Sequence, residues 1–163
     1  MQNNKAYGIY LGAEYASIAY AENGKATSAK IDVTDDIMPC CVHIHPDRSI
    51  IVGKKAQNCS KAENRRSLLL GKAPFYNTFY NFRHTMGTDK RYVSANMDGR
   101  EYSSEELSAE VLKALKSFIT DEDFKSVVIT VPARFNANQK TATIKAAKLA
   151  GFNHVELLQE PIA

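Results

Sequence analysis

Cys40, Cys41 and Cys59, with His43 and His45 close to the first two, are the residues whose types most directly suggest metal or thiol chemistry. Three thiolates and an imidazole can hold zinc. The spacing lacks the paired C-x-x-C arrangement of structural zinc sites, so the expectation is no metal and small buried or half-buried residues on a strand. An odd number of cysteines with no visible secretory leader implies reduced thiols and a cytoplasmic protein. A nuclease of the ribonuclease-H type would need carboxylates clustered on the first strand for two metals. Ala6 to Leu11 carries none.

The elements that must position any site are legible along the chain. Ala6–Leu11, Ala16–Ala21 and Lys25–Val33 read as a three-stranded meander, with Asn23-Gly24 as the type I′ turn between the second and third strands. Between residues 38 and 101 Lys and Arg outnumber Asp and Glu by 11 to 5, and three of the four histidines fall there. That asymmetry suggests an inserted subdomain with its own surface. Within it, Ser49–Val52 reads as a strand ending at Gly53, Lys54–Cys59 as a short helix, and Tyr92–Asn96 with Glu101-Tyr102 as a hairpin turned at Asp98-Gly99.

Ser103 with Glu106 forms a capping box ahead of Leu107, Val111, Leu112, Leu115, Phe118 and Ile119, one apolar helix face. Val127–Val131 is a β-branched run expected to be buried on both faces and ended by Pro132. Asn136 with Gln139 opens a second, Ala-rich helix that stops at Gly151, and His154–Leu158 is a last strand. The order β-β-β, insertion, α-β-α-β implies a mixed sheet with flanking helices. The fold class is α/β, a ribonuclease-H-like lobe of the actin-type ATPase kind plus a small α+β insertion. Residues 1–37 and 102–163 form the lobe and residues 38–101 the insertion.

The chain has 163 residues, 44% hydrophobic and 24% charged, with a net charge of +3. This is the balance of an ordinary globular protein. It suggests no nucleic-acid partner, and no apolar run approaches the roughly 20 residues that span a bilayer.

Five segments in register resemble the 70-kDa heat-shock chaperone family, the DnaK-like proteins. Tyr7-Gly8-Ile9-Tyr10-Leu11-Gly12, then Ser17 and Glu22-Asn23-Gly24, is similar to I-G-I-D-L-G-T-T-x-S followed by E-N-G. Ile51-Val52-Gly53-Lys54-Lys55-Ala56 is similar to L-V-G-x-x-A-K, and Asn77 to His84 to N-T-V-F-D-x-K-R. Ile129-Thr130-Val131-Pro132-Ala133-Arg134-Phe135-Asn136 with Gln139 resembles I-T-V-P-A-Y-F-N-x-x-Q, and Gln159-Glu160-Pro161-Ile162-Ala163 resembles N-E-P-T-A.

The resemblance implies the N-terminal part of an ATPase domain, cut before the second phosphate loop. It also implies ATP or ADP with Mg²⁺ in the whole protein, client polypeptides and co-chaperones as partners, and a place in the stress response. The phosphate loop becomes Leu11 to Tyr15, with Gly12 there to permit φ > 0 and close approach of a phosphate. Tyr10 replaces the aspartate that holds Mg²⁺ through its waters, and Ala13 and Glu14 replace two threonines. Arg83 stands at the catalytic lysine, Glu160 at the glutamate of the Mg²⁺ water network, and Pro132 at a proline of the interdomain switch. Neutral Tyr10 and anionic Glu14 imply weak nucleotide binding or slow hydrolysis in the parent. The chain alone is expected to be inactive and to bind no ATP tightly. The competing expectation is a pseudo-ATPase that holds a protein partner. A sugar kinase or filament protein of the same superfamily fits the motifs less well.

Overall fold

The computed structural model describes residues 5–32, 34–73, 76–95, 99–120 and 122–160. Strand β1 (Ala6–Leu11) buries Tyr7, Ile9 and Leu11 and leaves Ala6 and Tyr10 exposed, the two-residue alternation of a one-sided strand. It pairs antiparallel with β2 (Tyr15–Glu22), which pairs with β3 (Lys25–Ser28). Asn23 and Gly24 have φ of 52° and 76°, the left-handed pair the turn demands. The third strand is shorter than expected. It ends at Ser28, and the following residue is tied by Ala29 N–H to the Ile18 carbonyl. Val33 lies outside the described residues.

On its other side β1 runs parallel to β10 (Ser126–Pro132), and β10 runs parallel to β11 (His154–Glu160). The sheet order is β11-β10-β1-β2-β3, and the two-residue β4 (Met38–Pro39) pairs with β2. Helices α2 (Ser104–Ser117) and α3 (Ala137–Leu149) pack on each other and on one face of this sheet. Both capping boxes form, Ser103 with Glu106 and Asn136 with Gln139. Gly151 ends the second helix at φ 93°. Leu107, Val111, Leu112 and Leu115 of α2 meet Ile9, Ile18, Val127 and Ile129 in one core, and small Ala142, Ala146 and Ala147 let α3 approach closely. Because helices cover one face only, β10 alternates buried and half-buried residues, contrary to the two-sided burial its composition suggested.

A second sheet has the order β6-β5-β7, from β5 (Cys41–Ile44), β6 (Ile50–Val52) and β7 (Thr78–Tyr80). Helix α1 packs on β5 and runs Lys54–Leu69, well beyond the short helix expected. Only Ala56 and Ser67 are buried along it, so its sequence carries little apolar periodicity. Gly53 precedes it at φ 76°, where an added Cβ would lie 2.7 Å from Met38 Cγ. Strands β8 (Arg91–Val93) and β9 (Glu101–Ser103) pair antiparallel as a hairpin. Asp98 of its expected turn is outside the described residues. Among the described residues no helix is long and apolar enough to cross a membrane.

Candidate nucleotide-phosphate site

The β1–β2 connection closes tightly, with Gly12 N–H donating to the Tyr15 carbonyl at 2.8 Å. Gly12 is not among the glycines with positive φ, so the expected left-handed backbone is absent. Close approach is what requires glycine here. An added Cβ would lie 2.5 Å from the Tyr15 carbonyl oxygen, 2.8 Å from Tyr10 Cε1 and 2.9 Å from the Tyr10 hydroxyl. The Tyr10 ring, 45% exposed, therefore lies against the loop instead of entering the core.

Arg83 sits on a 3-10 turn, Phe82–Thr85, started by Asn81 in the left-handed conformation (φ 56°). Buried Phe82 anchors the turn, and the Thr85 hydroxyl hydrogen-bonds Ser104 at the start of α2. The Arg83 guanidinium is buried. Its Nη2 lies 3.4 Å from Glu160 Oε1 and 3.4 Å from the Thr130 carbonyl, and its plane sits 5.3 Å above the Phe135 ring. The parallel register sets Glu160 opposite Pro132, so β10 and β11 deliver both residues to the same end of the sheet.

Arg83, Pro132 and Ala13 line one cavity of about 250 Å³, together with His84, Arg134 and Phe135. Glu14 and Tyr15 line a different cavity of about 240 Å³, with Cys40, Gln57 and Tyr80. The peptide after Glu14 is held there by Cys40 N–H, which donates to the Glu14 carbonyl at 2.7 Å. Burial pushes the Cys40 thiol up to about 12 against the opposing pull of Arg83, so it stays a thiol. The structure thus brings together Ala13, Arg83, Pro132 and Glu160. It sets Gly12 under Tyr10 and places Glu14 and Tyr15 on a second cavity, with Ala13 lining both.

Three residues had no role in the sequence reading. Arg134 and His84 are exposed and line the cavity of Arg83, and Arg134 adds a second guanidinium charge to it. Arg134 occupies the tyrosine position of the V-P-A-Y-F-N pattern, a signal that was available. The third is Thr130, whose hydroxyl is buried without a hydrogen-bond partner and shares its strand with Pro132. Two guanidinium groups and a small polar cavity fit phosphate oxygens. They do not fit Mg²⁺ in the manner of the DnaK pattern. Tyr10 offers a neutral phenol, Ala13 offers no side-chain oxygen, Glu14 lines the other cavity, and Glu160 is engaged by Arg83.

A mixed sheet whose first hairpin carries a tight glycine loop, beside a buried cation and a carboxylate from the last strand, places the chain among nucleotide-cleft lobes. The family model for the Hsp70 protein matches residues 6–163. The chain is 34% identical over 171 residues to the chaperone protein HscA homolog of Tolumonas auensis, covering 99% of this chain and 28% of that protein. It is 33% identical over 169 residues to the chaperone protein DnaK of Methanothermobacter thermautotrophicus, covering 99% of this chain and 26% of that protein. For the chaperone protein DnaK of Picrophilus torridus the identity is 32% over 167 residues, covering 98% and 25%. The chain belongs to the Hsp70 family, and the corresponding fold is that of its actin-like nucleotide-binding domain. It spans about a quarter of the length of the curated relatives it matches.

Proposed function

We propose that this chain is the phosphate-loop lobe of the nucleotide-binding domain of a DnaK-like chaperone with degenerate Mg²⁺ and phosphate positions. The whole protein would bind ATP or ADP and couple that to client polypeptides and co-chaperones in the cytoplasm, with no membrane or nucleic-acid partner. Residues 38–101 would be an insertion within the lobe formed by 1–37 and 102–163. The observation that carries the reading is the convergence of Ala13, Arg83 and Pro132 on one cavity, with Glu160 paired to Arg83.

A bound nucleotide supplies the phosphate anion; the rest follows from this chain's own residues. Arg83 and Arg134 offer guanidinium donors, and a phosphate competes with Glu160 for Arg83. Release of Glu160 alters the end of β11 beside Pro132, a route from phosphate to the rest of the protein. Phosphoryl transfer depends on positioning and on neutralising charge. With no carboxylate at position 10 and the Tyr10 ring against Gly12, hydrolysis is slow.

ATP turnover by the full-length parent tests this. Low turnover is expected, with a gain when Tyr10→Asp, Ala13→Thr and Glu14→Thr are combined. Ordinary Mg²⁺-dependent turnover in the unaltered protein would overturn it. The second reading is a pseudo-ATPase that binds a partner through its basic insertion, and Tyr10 on the loop favours it. A triple variant that stays inactive while still binding partner supports that second reading. For the 163-residue chain alone, calorimetry is expected to show no tight ATP binding.

A further inference from the structure

Strand β5 and helix α1 pack against each other, and donor atoms of three side chains from this region meet. His43 lies on β5 and His45 one residue past its end, with ring centroids 4.7 Å apart. Cys59 comes from α1, and the ligand atoms of His43, His45 and Cys59 all lie within 4.8 Å of one another. Glu63, one helical turn after Cys59, places Oε1 4.0 Å from His43 Nε2. That separation is beyond hydrogen-bond reach, so the pair does not already satisfy each other.

We propose that His43, His45 and Cys59, with Glu63 as fourth ligand, form a binding site for a divalent zinc-type metal ion. Two imidazoles, a thiolate and a carboxylate are the donor set such borderline ions prefer. The surrounding groups are arranged as a metal site requires. His43 Nδ1 lies 2.8 Å from the Thr78 hydroxyl, directly across the β5–β7 pair, which leaves Nε2 for the ion. Glu63 Oε1 accepts from Asn77 Nδ2 at 3.0 Å, and Asn77 Oδ1 accepts from the Ser94 hydroxyl at 3.0 Å. The backbone of His45 is held by its main-chain N–H, which donates to the Ser49 carbonyl at 2.9 Å. His43 is buried, while His45 and Cys59 are half-buried and open a path for the ion. Bonds of about 2.0–2.3 Å require the donors to close by about an ångström, which side-chain rotation supplies. Binding transfers the Cys59 thiol proton to water.

Cys40 and Cys41 take no part. The Cys41 thiol donates to the Gly53 carbonyl at 3.1 Å, and Cys40 lies near Arg83. The test is cobalt(II) spectroscopy and zinc calorimetry on the 163-residue chain, stripped by a chelator that is then removed. One ion per chain is expected, with tetrahedral cobalt bands and a thiolate charge-transfer band. Cys59→Ser should abolish that band, and Cys59→Ser or His45→Ala should weaken zinc binding at least about 100-fold. Glu63→Gln should weaken it while keeping the band. Both strong variants alter half-buried positions, and circular dichroism confirms their folding; if either unfolds, Glu63→Gln carries the test. No charge-transfer band in the unaltered chain, a band that survives Cys59→Ser, or zinc affinity unchanged in the variants would each overturn the proposal.

Discussion

Replacing Gly12 by alanine would set a methyl group 2.5 Å from the Tyr15 carbonyl oxygen and under 3 Å from two atoms of the Tyr10 ring. The ring can swing away, since it is 45% exposed, but the carbonyl is backbone and is held by the Gly12 N–H. Relief therefore means opening the turn. Loss of its hydrogen bond costs about 0.5–1.5 kcal/mol, and residual crowding adds about 1–3 kcal/mol. A total of about 3 kcal/mol corresponds to a melting temperature lower by about 6–12 °C for a chain of this size. Urea unfolding followed by circular dichroism measures it. Gly8→Ala is the control on the same strand, because nothing lies within 4 Å of its added Cβ, and it should change stability by less than about 0.5 kcal/mol. Adding Tyr10→Ala to Gly12→Ala should recover part of the loss and never all of it. A Gly12→Ala chain as stable as the parent would refute the argument. So would full recovery with Tyr10→Ala, which would assign the whole obstacle to the ring.

Glu160→Gln removes the charge paired with buried Arg83 and should cost about 1 kcal/mol, since Glu160 is itself a third exposed. The same change frees Arg83, so pyrophosphate should bind the chain more tightly by calorimetry. Ser103→Ala deletes the side-chain half of the α2 capping box and should cost about 1 kcal/mol in urea unfolding, with Asn136→Ala giving a similar loss at α3. Burial holds the Cys40 thiol at about 12 and Cys41 at about 11, so alkylation at pH 8 followed by mass spectrometry should label Cys59 first. Raising the pH toward 9 should leave the other two protected until the chain unfolds.

The lobe was legible where the sequence states its own geometry. Asn23-Gly24, the two capping boxes and the β-branched run of β10 are local devices, and each appears at its expected place. Helix α1 was underread because its partners cover only Ala56 and Ser67, and exposed Leu68, Leu69 and Leu70 at its end follow no face. The expectation of small buried residues on a strand holds for Cys41, which opens β5, while the bounds of that strand had no local signal. For the site, resemblance selected Arg83 and Glu160, which are 77 residues apart in sequence and share no local signal. Gly12 was assigned to its loop through close approach and φ > 0; close approach is what the loop uses, and the groups that approach are the Tyr15 carbonyl and the Tyr10 ring. The His43, His45 and Cys59 cluster was obscured by the nearer cysteines. Packing of α1 on β5 brings Cys59 to the two histidines.

The parallel register of β1 against β10, Gly8 opposite Val128, has a consequence for how this protein is made. β1 is an interior strand of the sheet, and its parallel partner β10 is synthesised only after the whole stretch between them. Until β10 arrives, the β1-β2-β3 meander leaves the β1 edge unpaired, and the loop between β1 and β2 has neither Arg83 fixed to the Thr130 carbonyl nor Glu160 nearby. Closing so large a loop makes the lobe slow to fold and leaves an apolar edge open to other chains meanwhile. A lobe of this architecture passes through a state that needs protection.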